Sequence, residues 1–409
     1  MSTHAAPVPH SSRIDIIDAL RGSALLGLFL VHCVEHFEFS VYPPDPPAWL
    51  ATLNKQTSDA AFFLFGGKAY AIFAMMFGVS FCLIIDRAAQ RGLDFRGRFV
   101  WRLCVLGIMG YLFGLIYCGE ILTMLAVLGL PLVFLYKAPT KFLGWLSALL
   151  LLQIPFLWQL AMSLADPGYA PLKLGVGAFY KQMYPVFESG SFAEVLQVNT
   201  WTSLLGRSAW AIENGRYLQM FGLFIWGLLL GRSRIFENPA ASMRLAKRVL
   251  IIGTVAFAVL YLAQRNLPSW ELPKVQQGIL KKLLSSYVNL AQMCMWAGGF
   301  VLIYQLTRAQ ALLRLLVPFG RTSLTGYVTQ NAIGVLVFYH FGAGLFRQWG
   351  QFYSLLYGFV FFAAQLLFMH GWLHRFHYGP LEWLWRCLTL LSFKTPFRRQ
   401  SPAPDSAVA

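Results

Sequence analysis

Charge is scarce in this 409-residue chain: 12% of residues are charged, about half the roughly 25% usual in soluble globular proteins. Acid is the scarcer sign, with 17 Asp and Glu against 33 Lys and Arg, so the net charge is +16. The shortage argues against a soluble domain covered in mixed charges. The basic excess does not point to nucleic acid, because Lys and Arg sit between apolar runs, where they anchor helix ends. Cysteine is sparse as well. Cys33, Cys82, Cys104, Cys118, Cys294 and Cys387 lie mostly inside apolar runs without CxxC spacing, so neither a metal site nor a disulfide framework is expected. The opening MSTHAAPVPHSS is polar, and the apolar run after it lacks a small-residue cleavage site, so no cleavable signal peptide is expected. No short tandem repeat and no clear inverted repeat is evident, which weakens a transporter reading.

What the chain has is apolar length. Hydrophobic residues make up 57%, and the mean hydropathy is +0.56. Uninterrupted apolar runs of about 18 residues read as membrane spans. The runs predict an all-α, polytopic membrane helix bundle in the lipid bilayer. Its ten spans fall near 16–37, 61–85, 98–118, 121–136, 142–164, 209–231, 248–264, 284–306, 322–344 and 352–372. Only Gly119-Glu120 separates the third from the fourth, which predicts a tight helical hairpin. With the N-terminus inside, 21 basic residues border the cytoplasmic side and 8 the opposite side. The positive-inside rule then places both termini in the cytoplasm. A polar tail (1–12) precedes a single transmembrane domain (13–393). A long external segment (165–208) is expected to hold short surface helices, and a basic, then disordered, tail (394–409) closes the chain. The stretch opening at Pro380, with two tryptophans and Arg386, reads as a short interfacial helix.

An ionisable side chain inside a span costs roughly 2.5–3.5 kcal/mol on insertion scales, and so marks a candidate site. The first span, DIIDALRGSALLGLFLVHCVEHFEF, is the richest. Arg21 and His32 are eleven residues apart, about three helical turns, so they share a face and lie about 16 Å apart along the axis. Asp18 and Glu35 extend that stripe at i−3 and i+3, and His36 flanks it. A histidine beside a carboxylate suits a general base, which assigns His32 and Glu35 a catalytic role. Arg21, at the inner mouth, suits a phosphate or carboxylate. Lys68 and Glu120, on the same side as His32, are candidate substrate-binding residues. Structural readings stand beside these: Arg21 and Lys68 could snorkel, Arg98 and Arg102 could serve as inner anchors, and Glu213 with Arg216 could form an ion pair. In FGRTSLTGYVTQN, polar side chains can bond between helices, and Gln330 and Asn331 can line a cavity.

The chain resembles the YeiB family of bacterial integral membrane proteins, also called domain of unknown function 418. The resemblance rests on DALRGSALLGLFLVH (18–32), GGKAYAIFAMMFGVSF (66–81), GEILTMLAVLGL (119–130), FGRTSLTGYVTQN (319–331) and GPLEWLWR (379–386). It implies an inner-membrane location and kinship with transmembrane acyltransferases, which pass an acyl group from cytoplasmic acyl-CoA (acetyl-CoA) to an acceptor across the membrane. One acyltransferase group carries an arginine and a histidine at the spacing of Arg21 and His32. It also carries an arginine pair near the third span, which would make Arg98 and Arg102 the residues that hold the acyl-CoA. Here that pair has three intervening residues rather than two. The alternatives are a transporter or exporter of a small anionic solute, using Arg21 and Lys68, and a non-catalytic membrane scaffold. The acceptor and the oligomeric state are not legible in the sequence.

Overall fold

The computed structural model describes residues 14–39 and 43–399, so the polar N-terminal tail and the expected disorder after residue 399 lie outside the described residues. Helix α1 (Asp15–Val34) is the axis of the molecule. It packs against α2 (Ala48–Leu64) and α3 (Ala69–Ala89). α4 (Arg96–Gly114) and α5 (Leu122–Leu135) form the expected hairpin. α6 (Thr140–Leu151) and α7 (Ile154–Ala165) follow, and then three helices of the long middle segment: α8 (Val176–Ser189), α9 (Phe192–Thr200) and α10 (Thr202–Glu213). α11 (Arg216–Arg232), α12 (Pro239–Asn266) and α13 (Lys274–Tyr304) lead to the short α14 (Thr307–Leu313) and α15 (Val317–Arg321). α16 (Ser323–Phe338), α17 (Gln351–Arg375) and α18 (Pro380–Leu390) complete the chain. Among the described residues the only extended pairing is an isolated bridge, Phe376 to Arg398.

Apolar residues face outward in a way a water-soluble fold does not tolerate. On α12, Ile252, Val255, Val259 and Leu262 recur at helical spacing and are 56–68% exposed. Only 11% of the apolar window of α12 is buried, against 78% for α1, so α12 forms an apolar outer rim and α1 the centre. Among the described residues, five helical stretches are long and apolar enough to cross a membrane, or six if α6 and α7 count as one broken span. Ten were expected. The difference arises in α4, whose 19 residues include Arg96, Arg98 and Arg102, and in short helices: α5 has 14 residues, α16 has 16, and α11 has 17 bounded by Arg216 and Arg232. The run at 142–164 is not one helix. Gln153 adopts a left-handed conformation (φ 55°), Pro155 follows, and the axis bends by 47°.

Close packing around the axis depends on small residues. The contacts of α3 and α11 rise together along both chains, from Tyr70 with Gln219 through Phe77 with Phe224 to Cys82 with Gly231, and Gly78 and Gly227 touch where the helices cross. The two helices are therefore parallel. A β-carbon at Gly227 would collide with the Met75 carbonyl oxygen, and one at Gly78 with that of Phe224. Similarly, Gly320 of α15 abuts the Asp18 carbonyl of α1.

Candidate functional site

At the first end of α1, Arg21 is fully engaged within the protein. Its Nη1 donates to Asp18 Oδ1 (2.9 Å) and to the Gly320 carbonyl (3.2 Å), and its Nη2 donates to Ser80 Oγ (2.6 Å). The i−3 pairing with Asp18 follows from helix geometry. The bonds to α3 and α15 make Arg21 a tether for three elements.

At the other end, His32 meets two residues from distant parts of the chain. Its Nδ1 lies 2.9 Å from Asn331 Oδ1 on α16 and 2.5 Å from the hydroxyl of Tyr117, in the α4–α5 turn. Asn331 Nδ2 donates to the Tyr327 carbonyl (2.8 Å), which fixes the amide with Oδ1 toward the imidazole. Oδ1 can only accept, so Nδ1 carries the ring proton and Nε2 keeps its lone pair. Tyr117 is fully buried and His32 is partly exposed, so the ring is held on one edge without being sealed in. An oriented imidazole with an unprotonated Nε2 is the arrangement a general base requires.

The expected His32–Glu35 pairing is replaced by these two partners. The reason is local: α1 ends at Val34, and His36, Phe37 and Glu38 all adopt positive φ (49°, 60° and 69°). The i, i+3 register therefore breaks where the stripe was to continue. His36 turns inward, with Nε2 3.0 Å from Ser354 Oγ and its ring stacked on Phe338.

Glu120 lies near this cluster but is paired. Its Oε1 is 3.0 Å from Arg207 Nη2, and its Oε2 accepts the Thr123 N–H (3.1 Å). Arg207, on α10, also bonds the Cys118 and Glu120 carbonyls. Nothing in its own sequence neighbourhood, WTSLLGRSAW, signals that partner. Lys68 stands at the start of α3 and donates to the Phe62 carbonyl (3.0 Å). Arg98 and Arg102 lie together at the start of α4 but face α18. Arg98 Nη1 donates to the Leu390 carbonyl (3.4 Å), and the Arg102 guanidinium sits 3.5 Å over the Trp385 ring. Glu213 and Arg216 do not form the expected pair: Glu213 accepts the Leu174 N–H, and Arg216 donates to Tyr70 and Gln219.

Residues 230–392 match the family described as "Protein of unknown function (DUF418)". Over that stretch, less than half of its length, the chain is similar to this family. It is 27% identical to "Uncharacterized protein YxaH" of Bacillus subtilis (strain 168), over 95% of this chain and 97% of that one. It is 25% identical to "Uncharacterized protein YeiB" of Escherichia coli (strain K12), over 91% and 95%. An "Uncharacterized 39.9 kDa protein in amylase 3'region" of Bacillus acidopullulyticus is 28% identical over 94% and 95%. No solved structure matches the chain. The names of these relatives state no activity, so chemistry has to be argued from the side chains.

Proposed function

We propose that this protein is an acyltransferase-like enzyme of the bacterial inner membrane. In this reading α1, α3, α4, α5, the broken α6–α7, α11, α12, α13, α16 and α17 are ten spans, both termini are cytoplasmic, and His32 lies toward the outer face. The observation that carries the proposal is the imidazole of His32, held through Nδ1 by Asn331 and Tyr117 with Nε2 available. Nε2 takes the proton from an acceptor hydroxyl or amine. The acceptor heteroatom bonds to the thioester carbonyl carbon, the C–S bond breaks, and the proton passes to the departing thiolate. Acyl-CoA supplies the thioester. Arg98 and Arg102 would hold its phosphates, and the buried Arg102 Nε, which has no hydrogen-bond partner, leaves a donor for one. Arg21 acts as a tether in this scheme. Purified protein should release free thiol from acetyl-CoA when an acceptor extract is present; no release with any extract would refute the proposal. Reporter fusions at the C-terminus test the sidedness.

The break at Gln153 supports a second reading, transport of a small anionic solute, because discontinuous spans line the substrate sites of many transporters. Gradient-driven flux in proteoliposomes without acyl chemistry would favour it.

A further inference from the structure

The parallel packing of α3 and α11 brings two helix N-termini to the same end of the bundle, and each N-terminus carries a cation. Lys68 is the residue before α3 and is only 6% exposed; Arg216 is the first residue of α11. The two cations lie close enough to repel each other. Neither helix start is capped by a side chain. Each N-terminus therefore adds about half a positive charge to the same region.

Among the described residues, the hydrogen bonds of these cations all go to neutral acceptors, and Arg216 also lies over the Tyr70 and Trp210 rings (5.0 and 5.5 Å). The Lys68 ammonium donates to the Phe62 carbonyl alone, although it has three N–H groups. Arg216 Nη1 donates to Tyr70 Oη (2.8 Å) and Gln219 Oε1 (3.0 Å), and Tyr70 in turn donates to Gln219. Arg216 Nε is buried without a partner. Glu213, three residues before Arg216, is turned to the Leu174 N–H. A buried cation and a partly buried one at two positive helix ends, with no carboxylate bonded to either among the described residues, form a site whose missing component is an anion. Gly66, Gly67, Tyr70 and Arg216 are partly exposed around Lys68, so the site reaches the surface.

We infer that Lys68 and Arg216, at the paired N-termini of α3 and α11, bind a phosphate group. Helix N-termini favour phosphate, and a lysine with an arginine matches its charge and its several acceptor oxygens. The site is independent of the acyl-transfer reading. Free phosphate and a phospholipid headgroup present the same chemistry, and the experiment separates them.

Full-length protein in detergent is titrated with inorganic phosphate, and separately with phosphatidylglycerol micelles, while thermal unfolding is followed. A bound ligand raises Tm in proportion to ln(1 + [L]/Kd). A rise with inorganic phosphate assigns a free anion, and a rise with phosphatidylglycerol alone assigns a headgroup. Lys68→Met and Arg216→Gln are each expected to weaken the response at least tenfold, and Lys68→Arg to retain it. ³¹P line broadening of the same two probes by the wild-type protein reads binding without any variant. The inference is overturned if neither probe raises Tm or broadens, or if Lys68→Met and Arg216→Gln respond as wild type does.

Discussion

Glu382 reaches back 57 residues to Thr325. Its Oε2 accepts the Thr325 hydroxyl (2.5 Å), and its Oε1 accepts the backbone N–H groups of Leu324 (2.6 Å) and Thr325 (3.0 Å). Those two N–H groups belong to the first turn of α16, which has no side-chain cap of its own. The glutamate of GPLEWLWR is thus the N-terminal cap of the FGRTSLTGYVTQN helix, supplied from α18. The same helix carries Asn331, so the cap also sets the height and rotation of the His32 partner. Glu382→Ala is expected to destabilise the protein by about 2 kcal/mol, since hydrogen bonds to a charged group contribute roughly 1.5–3 kcal/mol. A double-mutant cycle with Thr325→Ala, read by thermal unfolding in detergent, should show coupling.

The Glu120–Arg207 pair fastens the α4–α5 turn to α10. Glu120 is fully buried, so removing one partner strands a charge. Arg207→Met should cost about 3 kcal/mol, and combining it with Glu120→Gln should recover part of that loss. A double variant that loses the sum of the two single losses would show that the pair is not coupled.

Gly227→Ala tests the α3–α11 seam. Its β-carbon would collide with the Met75 carbonyl, a backbone atom that no rotamer change can move. The expected loss is about 1–3 kcal/mol. Gly144→Ala, where nothing lies within reach of a new β-carbon, should be near neutral.

A pH effect is expected on α9, outside the spans. Ser191 and Glu194 form a reciprocal capping box, and the bonds from Ser191 hold the Glu194 carboxyl below its usual range. A depressed carboxyl pKa stabilises the folded state above the unfolded value, about 4.3, and that contribution is lost as pH falls through the lower folded value. Hydrogen-exchange protection of α9 should therefore drop on acidification below about pH 4, and Glu194→Gln should abolish that pH dependence.

Much of the helix order was legible because apolar runs persist for whole helices. The Asp18–Arg21 pair was legible because it is local. Three features were not. The left-handed run His36–Glu38 contains no glycine, so nothing in the residue types announced that α1 stops before the stripe does. The break at Gln153 sits inside a continuously apolar run, with Pro155 as its only trace. Arg207 and Tyr117 reach the site by tertiary packing of segments far apart in sequence, which no spacing rule encodes; Asn331 was legible as a cavity residue, but its pairing with His32 was not.

The most direct test of the account is the rate of acyl transfer from labelled acetyl-CoA by the protein in nanodiscs, wild type against His32→Gln. General-base catalysis contributes about 10²–10⁴-fold, so His32→Gln should lose that much while Tm and acetyl-CoA binding stay close to wild type. An unchanged rate in His32→Gln would contradict the account.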